Sequence, residues 1–174
     1  MKTERDYNYL KRFSCRSFAS EALSDEQISF LLKAAVRAPS AGNIQPWRFF
    51  VVRNSRTRSL LAKASFGQDF VYMAPLSIVV CAVARESAEG YGERGETLYC
   101  YQDTAAAVEN ILLAATDLGL GSCWVGAFEE EMVSAVLELP SELRPVAVIP
   151  IGYPSKKASF TPRRPLKEVV TYID

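Results

Sequence analysis

Two arginines and a serine near the N-terminus carry the donor groups that a phosphate monoester needs. Arg12 and Arg16 stand four positions apart with Ser14 between them, and Arg163 and Arg164 stand near the other end of the chain. Guanidinium forks and hydroxyl groups bind phosphate oxygens through charge-assisted hydrogen bonds. Arginine pairs are also common as scattered charges on a solvated surface, and spacing alone favours that simpler interpretation.

A second segment, residues 38–47 (APSAGNIQPW), combines small residues with polar ones. Small residues let the backbone approach a planar ligand closely, while Ser40, Asn43 and Gln45 offer hydrogen-bond donors and acceptors. A turn-rich connection between a helix and a strand has the same composition. Composition alone therefore favours the connection over the ligand site.

Residue types exclude several classes of chemistry. The chain has no histidine, which removes Ser-His-Asp and Cys-His activation together with the commonest metal ligand, so we expect no metal site. Gly119 and Gly121 do not extend into GxGxxG, because Trp124 occupies the third glycine position, and no GxxxxGK[ST] motif occurs. The two glycines predict a helix C-cap followed by a turn.

Charge and hydropathy exclude further partners. Among the 174 residues, 20 Lys and Arg balance 20 Asp and Glu. No overall positive field attracts nucleic acid or a membrane surface, so neither is an expected partner. Cysteines 15, 81, 100 and 123 form no CxxC pair and are expected to be reduced. Residues 1–6 lack the apolar run of a signal peptide, and no apolar stretch could span a bilayer, which predicts a cytoplasmic protein.

The elements that position these groups follow from hydrophobic periodicity. Ser24 and Gln27 form a capping box that begins a helix, which ends before Pro39. The pattern predicts strands over 47–52, 77–84, 123–127 and 144–152, and helices over 57–64, 103–118 and 129–137. The glycine-rich polar stretch 85–95 (RESAEGYGERG) predicts a mobile loop. Length and pattern together predict one α+β domain over residues 1–174.

The helix over 103–118 is apolar nearly all round, with only a thin polar stripe. A chain of this length has little room for a helix covered on every side, so we expect a partner subunit to supply part of the cover. A central helix inside one subunit is the alternative.

In their order along the chain, these motifs resemble those of the nitroreductase family of flavin-dependent oxidoreductases, from Leu10 to Val170. The resemblance rests on Arg12-x-Ser14-x-Arg16-x-Phe18, Ala34-Ala35, Ala38-Pro39-Ser40-x-x-Asn43-x-Gln45-Pro46-Trp47, Asp103-Thr104-Ala105-Ala106 with Asn110, Gly119-Leu120-Gly121, Trp124-Val125-Gly126, Gly152-Tyr153-Pro154, and Arg163 before Pro165-Leu166. Each piece alone is weak evidence, whereas the ordered set is specific.

The resemblance implies a three-layer αβα homodimer with a central mixed sheet that binds FMN where the subunits meet. Arg12, Ser14, Arg16 and Arg163 would hold the phosphate, and Phe13 would contribute its backbone. The remaining expected FMN contacts are Pro39, Ser40, Ala41 and Asn43 of the other subunit along the isoalloxazine ring, Val125 and Gly126 near its reactive edge, and Gln68. Thr161 replaces a lysine that many members carry, so Arg164 is a candidate substitute.

The activity that the resemblance implies is FMN-dependent NAD(P)H oxidation. Reduced nicotinamide would deliver hydride to flavin N5, and a small acceptor such as a nitroaromatic or a quinone would take the electrons. No side chain is assigned a catalytic role. Two alternatives stay open: a flavin-binding or storage module without turnover, and a specialised reductase or dehalogenase of the same fold. Because residues 85–99 are shorter than the helical insertions of larger members, we expect an open active site.

Overall fold

Within residues 7–173, which the computed structural model describes, seven α-helices and four strands alternate along the chain. The expectation that concerns residues 1–6, the absence of a signal peptide, lies outside the described residues. The elements are α1 (Asn8–Lys11), α2 (Asp25–Ala35), β1 (Trp47–Val52), α3 (Ser55–Ala64), α4 (Phe70–Met73), β2 (Leu76–Ala82), α5 (Ala84–Arg94), α6 (Cys100–Asp117), β3 (Gly121–Ser122), α7 (Glu130–Leu137) and β4 (Arg144–Gly152).

The four strands form one sheet in the order β1-β2-β4-β3. All of these pairs are antiparallel, with Trp47 opposite Ala82 and Leu76 opposite Ile151. The predicted α+β class is confirmed, but the predicted mixture of strand directions is not found among these strands. An apolar run suits an interior strand of either direction, so the run could not fix the direction. In addition to these strand pairs, an isolated parallel bridge joins Ser14 to Ser122 of β3.

Helices cover both faces of the sheet, which gives three layers. On one face, α2 and α6 pack against Ile78 and Ile149, and every residue in the cluster is buried. On the other face, α3, α4 and α7 pack against Val79 and Val148. Neighbouring residues of one strand point to opposite faces, so β2 contributes to both clusters and has no exposed residue.

Helix α6 is largely covered by its own chain. Leu112 and Ile111 lie in the cluster formed with α2 and the sheet, with 3% and 0% of their surfaces exposed. This favours the alternative of a central helix inside one subunit over cover by a partner. Gly119, with φ of 70°, ends the helix as expected, and its N–H donates to Thr116 O.

The segment predicted to be a mobile loop is helical. Helix α5 spans Ala84–Arg94 with a bend at Gly92, and a π turn over Gly95–Tyr99 links it to α6. Close contacts explain the difference: a Cβ at Gly90 would lie 2.7 Å from Ile44 Cδ1, and a Cβ at Gly95 would overlap the Ser87 carbonyl oxygen. The polar composition therefore did not reveal this helix, whereas the expectation of an open active site, which rests on the short length of this stretch, stays a prediction.

No helix within residues 7–173 combines the length and the apolar character that a membrane crossing requires.

The capping box makes a stability prediction. Ser24 Oγ accepts from Gln27 N at 3.2 Å, and Gln27 Oε1 accepts from Ser24 N at 2.9 Å. Ser24→Ala should lower the free energy of unfolding by about 1 kcal/mol, because α2 loses its N-cap acceptor. Urea denaturation measures the change, with Ser141→Ala at an exposed serine as the control. Equal stabilities of the two variants would contradict the capping role.

The cysteines make a second prediction. All four are buried and free. Burial raises the pKa of Cys81 to about 12 and raises the pKa values of Cys15, Cys100 and Cys123. Because the thiolate is the reactive form, a thiol reagent at pH 8 should label the native protein slowly and label four thiols after guanidinium chloride is added. Rapid native labelling of any cysteine would contradict this burial.

Candidate cofactor-binding site

A cavity of about 630 Å³ brings the two ends of the chain together. Arg12, Ser14 and Arg16 line one part of its wall, and Thr161 and Arg163 line another. The phosphate-binding residues suggested by the motif therefore meet in space, although about 150 positions separate them in sequence. Arg164, the candidate substitute, is not among the residues that line this cavity.

The backbone fixes the N-terminal wall of the cavity. Ser14 forms the parallel bridge with Ser122, and Cys15 N donates to Ser122 O at 2.9 Å. The approach is close because Gly121 has no side chain: a Cβ there would lie 2.6 Å from Cys15 Sγ. The segment that carries the two arginines is thus anchored to β3 on one side, and Ser14 and Arg16 remain exposed on the other.

The charge of the cavity is positive and only partly compensated. Arg12 Nε lies 3.6 Å from Glu109 Oε1 on α6. Within the described residues, Arg16 and Arg163 have no carboxylate partner at salt-bridge distance. The guanidinium of Arg16 lies 5.8 Å from the centre of the Phe70 ring, which orients it without neutralising it. An anion is therefore the ligand that the electrostatics favour.

The donor set fits the phosphate of FMN. Three guanidinium groups and the Ser14 hydroxyl line the cavity, and they provide more donors than the three terminal oxygens of a phosphate monoester require. Phe13 also lines the cavity and packs edge-on to Phe160 at 6.2 Å between ring centres. The cavity thus offers an apolar wall beside its cationic one.

The residues expected near the reactive edge of the ring lie around the end of the strand-like stretch after β3. Val125 is buried and pairs with Val148, whereas Gly126 is exposed and lines a second cavity of about 410 Å³ beside Trp124. Gln68 Nε2 donates to Ala127 O at 3.2 Å, next to Gly126. These three expected contacts therefore belong to one neighbourhood.

The segment that contains Pro39, Ser40, Ala41 and Asn43 does not line the arginine cavity of the same chain. Its conformation is tightly specified: Ser40 Oγ accepts from Gln45 N at 3.0 Å, and Gln45 Nε2 donates to the side-chain and backbone oxygens of Asn43 at 3.3 Å. Within one chain, the expected phosphate-binding and ring-binding groups thus occupy separate places.

Two residues without a role in the sequence interpretation contact this segment. Asp103 accepts a hydrogen bond from Ala41 N, and the Tyr91 ring packs against Gly42. The sequence signal for Asp103 was an acidic residue beside the apolar run that begins at Ala105. Tyr91 gave no signal, because it lies in the stretch predicted to be a loop.

Comparison with known proteins agrees with these features. The sequence profile of the nitroreductase family matches residues 9–68 and 63–153. A protein of Archaeoglobus fulgidus, described as a candidate NADH dehydrogenase/NAD(P)H nitroreductase, is 42% identical over 156 residues, covering 86% of this chain and 84% of the relative. FMN reductase (NADPH) of Bacillus subtilis is 28% identical over 173 residues, covering 92% of this chain and 70% of the relative.

A solved structure shows the same fold. The crystal structure of a candidate NADH dehydrogenase/NAD(P)H nitroreductase from Bacteroides thetaiotaomicron superposes with a TM-score of 0.85 at 30% identity, covering 99% of this chain and 98% of the other. The oxidoreductase class predicted from the sequence is confirmed, and the chain belongs to the nitroreductase family.

Proposed function

We propose that this protein is an FMN-dependent NAD(P)H oxidoreductase that reduces a small acceptor. The observation that carries the proposal is the cavity in which Arg12, Arg16 and Arg163 converge with Ser14. An otherwise neutral chain concentrates cationic donors there, as a dianionic phosphate requires. The similarity to an FMN reductase supports the choice of FMN among phosphate-bearing ligands.

In this proposal the chain's own residues bind and orient the cofactor. Arg12, Ser14, Arg16 and Arg163 hold the phosphate, with Arg164 and the Phe13 backbone as further contacts. The segment 39–43 lines the ring, and Gln68, Val125 and Gly126 lie at its reactive edge. The chemistry that FMN supplies when bound is two-electron exchange at flavin N5 between NAD(P)H and an acceptor such as a nitroaromatic or a quinone.

We also propose that the protein acts as a homodimer, in which residues 39–43 of one subunit complete the site of the other. Two observations support this: residues 39–43 do not line the arginine cavity of their own chain, and the C-terminal segment exposes large apolar side chains. Leu166, Tyr172 and Ile173 expose 75%, 87% and 93% of their surfaces. Exposed apolar clusters of this kind mark protein interfaces. Two further points remain predictions from the sequence: that residues 1–174 form one domain, and that the protein is cytoplasmic.

The direct test of function is spectroscopic. Purified protein reconstituted with FMN should be yellow, and anaerobic mixing with NADH or NADPH should bleach the flavin absorbance within seconds, followed by reoxidation on addition of a quinone. Failure to bind FMN would contradict the proposal. Oxidised absorbance that persists for minutes with both nicotinamides would favour the flavin-storage alternative instead.

Arg16 makes a quantitative prediction. Arg16→Ala should weaken FMN binding by about 2 kcal/mol, roughly 30-fold in Kd, because a charge-assisted phosphate contact is lost. Fluorescence titration of the apoprotein measures Kd. Arg56→Ala, which removes an exposed arginine of α3, is the matched control and should bind FMN like the wild type. Equal Kd values for both variants would remove Arg16 from the site.

The homodimer makes a further prediction. Leu166→Asp combined with Ile173→Asp should convert the dimer to a monomer at micromolar concentration, because charge replaces apolar contact area. Analytical ultracentrifugation measures the mass, and circular dichroism checks that the fold is kept. Thr171→Asp adds a charge in the same segment without removing an apolar side chain and should stay dimeric. A wild-type protein that sediments as a monomer would refute the dimer.

A further inference from the structure

The segment 41–44 is held by side chains and backbone of α5 and α6. The N–H of Ala41 lies 3.1 and 3.2 Å from the two carboxylate oxygens of Asp103. A Cβ at Gly42 would lie 2.7 Å from the Tyr91 hydroxyl oxygen, and a Cβ at Gly90 would lie 2.7 Å from Ile44 Cδ1. Ala41, Gly42 and Ile44 are therefore in close contact with these two helices.

Burying the Asp103 carboxylate costs solvation free energy. Its carboxylate is buried, and within the described residues its hydrogen-bond donor is the single N–H of Ala41. Burial raises the pKa of Asp103, which is the mark of a charge that loses solvation. An apolar residue at this position of the core would avoid that cost. The contact fixes where the Ala41 backbone lies.

Tyr91 is itself held in place. Its ring packs edge-on to Tyr99 at 5.3 Å between ring centres, and Arg94 Nε donates to the Tyr99 hydroxyl at 2.9 Å. The close contact between Gly95 and Ser87 brings the π turn against the preceding helix. The bent helix thus places the Tyr91 ring between Tyr99 and Gly42.

The segment that these contacts hold is strained. Asn43 and Gln45 have φ values of 56° and 57°. Side chains other than glycine rarely adopt this left-handed conformation, and such strain persists only where the surroundings impose it. From outside the segment, Asp103 and Tyr91 contact the adjoining residues Ala41 and Gly42, while the hydrogen bond from Gln45 N to Ser40 Oγ acts from within.

We propose that Asp103 and Tyr91 are positioning residues that fix the strained segment 40–45, so that Ser40 and Asn43 meet the flavin ring in one geometry. This inference rests on the proposed function, because it takes the segment as the lining of the ring. It assigns a role to Asp103 of α6 and to Tyr91 of α5, a helix that the sequence pattern did not predict. Neither residue needs to touch the cofactor.

The first test measures the hydrogen bond between Asp103 and the Ala41 N–H without any cofactor present. In the apoprotein, Asp103→Ala should speed amide hydrogen exchange at Ala41 by about tenfold or more, because the N–H loses its acceptor. Asp103→Asn keeps one oxygen acceptor and should stay near the wild-type rate. Thr116→Val is the control, since it removes a hydroxyl that bonds to Leu112 O elsewhere on α6. Wild-type exchange in Asp103→Ala would overturn the inference without any reference to FMN.

The second test measures the affinity for FMN and the visible spectrum of the bound flavin. Asp103→Ala should raise the Kd for FMN by about tenfold and shift the visible flavin band, whereas Thr116→Val should change neither. Wild-type protein that fails to bind FMN would refute the proposed function alone. Wild-type binding together with an unchanged Kd and spectrum in Asp103→Ala would refute the positioning role alone.

The Tyr91 contact has its own test, which does not depend on whether Asp103→Ala folds. Gly42→Ala should weaken FMN binding by about tenfold, since its methyl group meets the Tyr91 hydroxyl and the left-handed backbone disfavours alanine. Tyr91→Ala alone should also weaken FMN binding, because the segment loses the ring that packs against Gly42, and its effect should not add to that of Gly42→Ala. Strictly additive effects of the two substitutions would overturn the Tyr91 part of the inference.

Discussion

Concentrated positive charge in one cavity is the constraint on which the site depends. A chain with no net charge brings Arg12, Arg16 and Arg163 to one cavity, where like charges repel one another. Glu109 compensates one of them, and the Phe70 ring only orients another. The backbone anchor at β3 holds the arrangement in place, so the fold maintains a repulsive cluster that a bound dianion would relieve. That relief is the physical basis for choosing a phosphate ligand.

The sequence predicted those elements whose signals are local. The observed bounds of β1 and β4 equal the predicted ones, because Pro46 and Gly152 punctuate strongly apolar runs. The capping box of α2 has both expected hydrogen bonds. Convergence of Arg12 with Arg163 is a long-range property that no periodicity contains. It entered through the family resemblance, and the cavity now gives it a geometric basis.

The predictions failed where tertiary contacts outweigh composition. Residues 85–95 have the polarity of a loop, yet they form a helix in which Gly90 lies in close contact with Ile44. Periodicity showed that α6 is apolar nearly all round, but it could not show that α2 and the sheet cover Leu112 within one chain. Strand direction was likewise beyond reach, because an interior strand needs the same residues in either direction.

Helix α6 connects the two halves of the proposed site. Glu109 pairs with Arg12 at the phosphate cavity, and Asp103, six residues earlier and about 9 Å along the helix axis, binds the Ala41 N–H. In the proposed homodimer, Arg12 and Ala41 of one chain serve different flavins, since the ring segment completes the partner's site. One helix then supports the phosphate end of its own site and the ring end of the other.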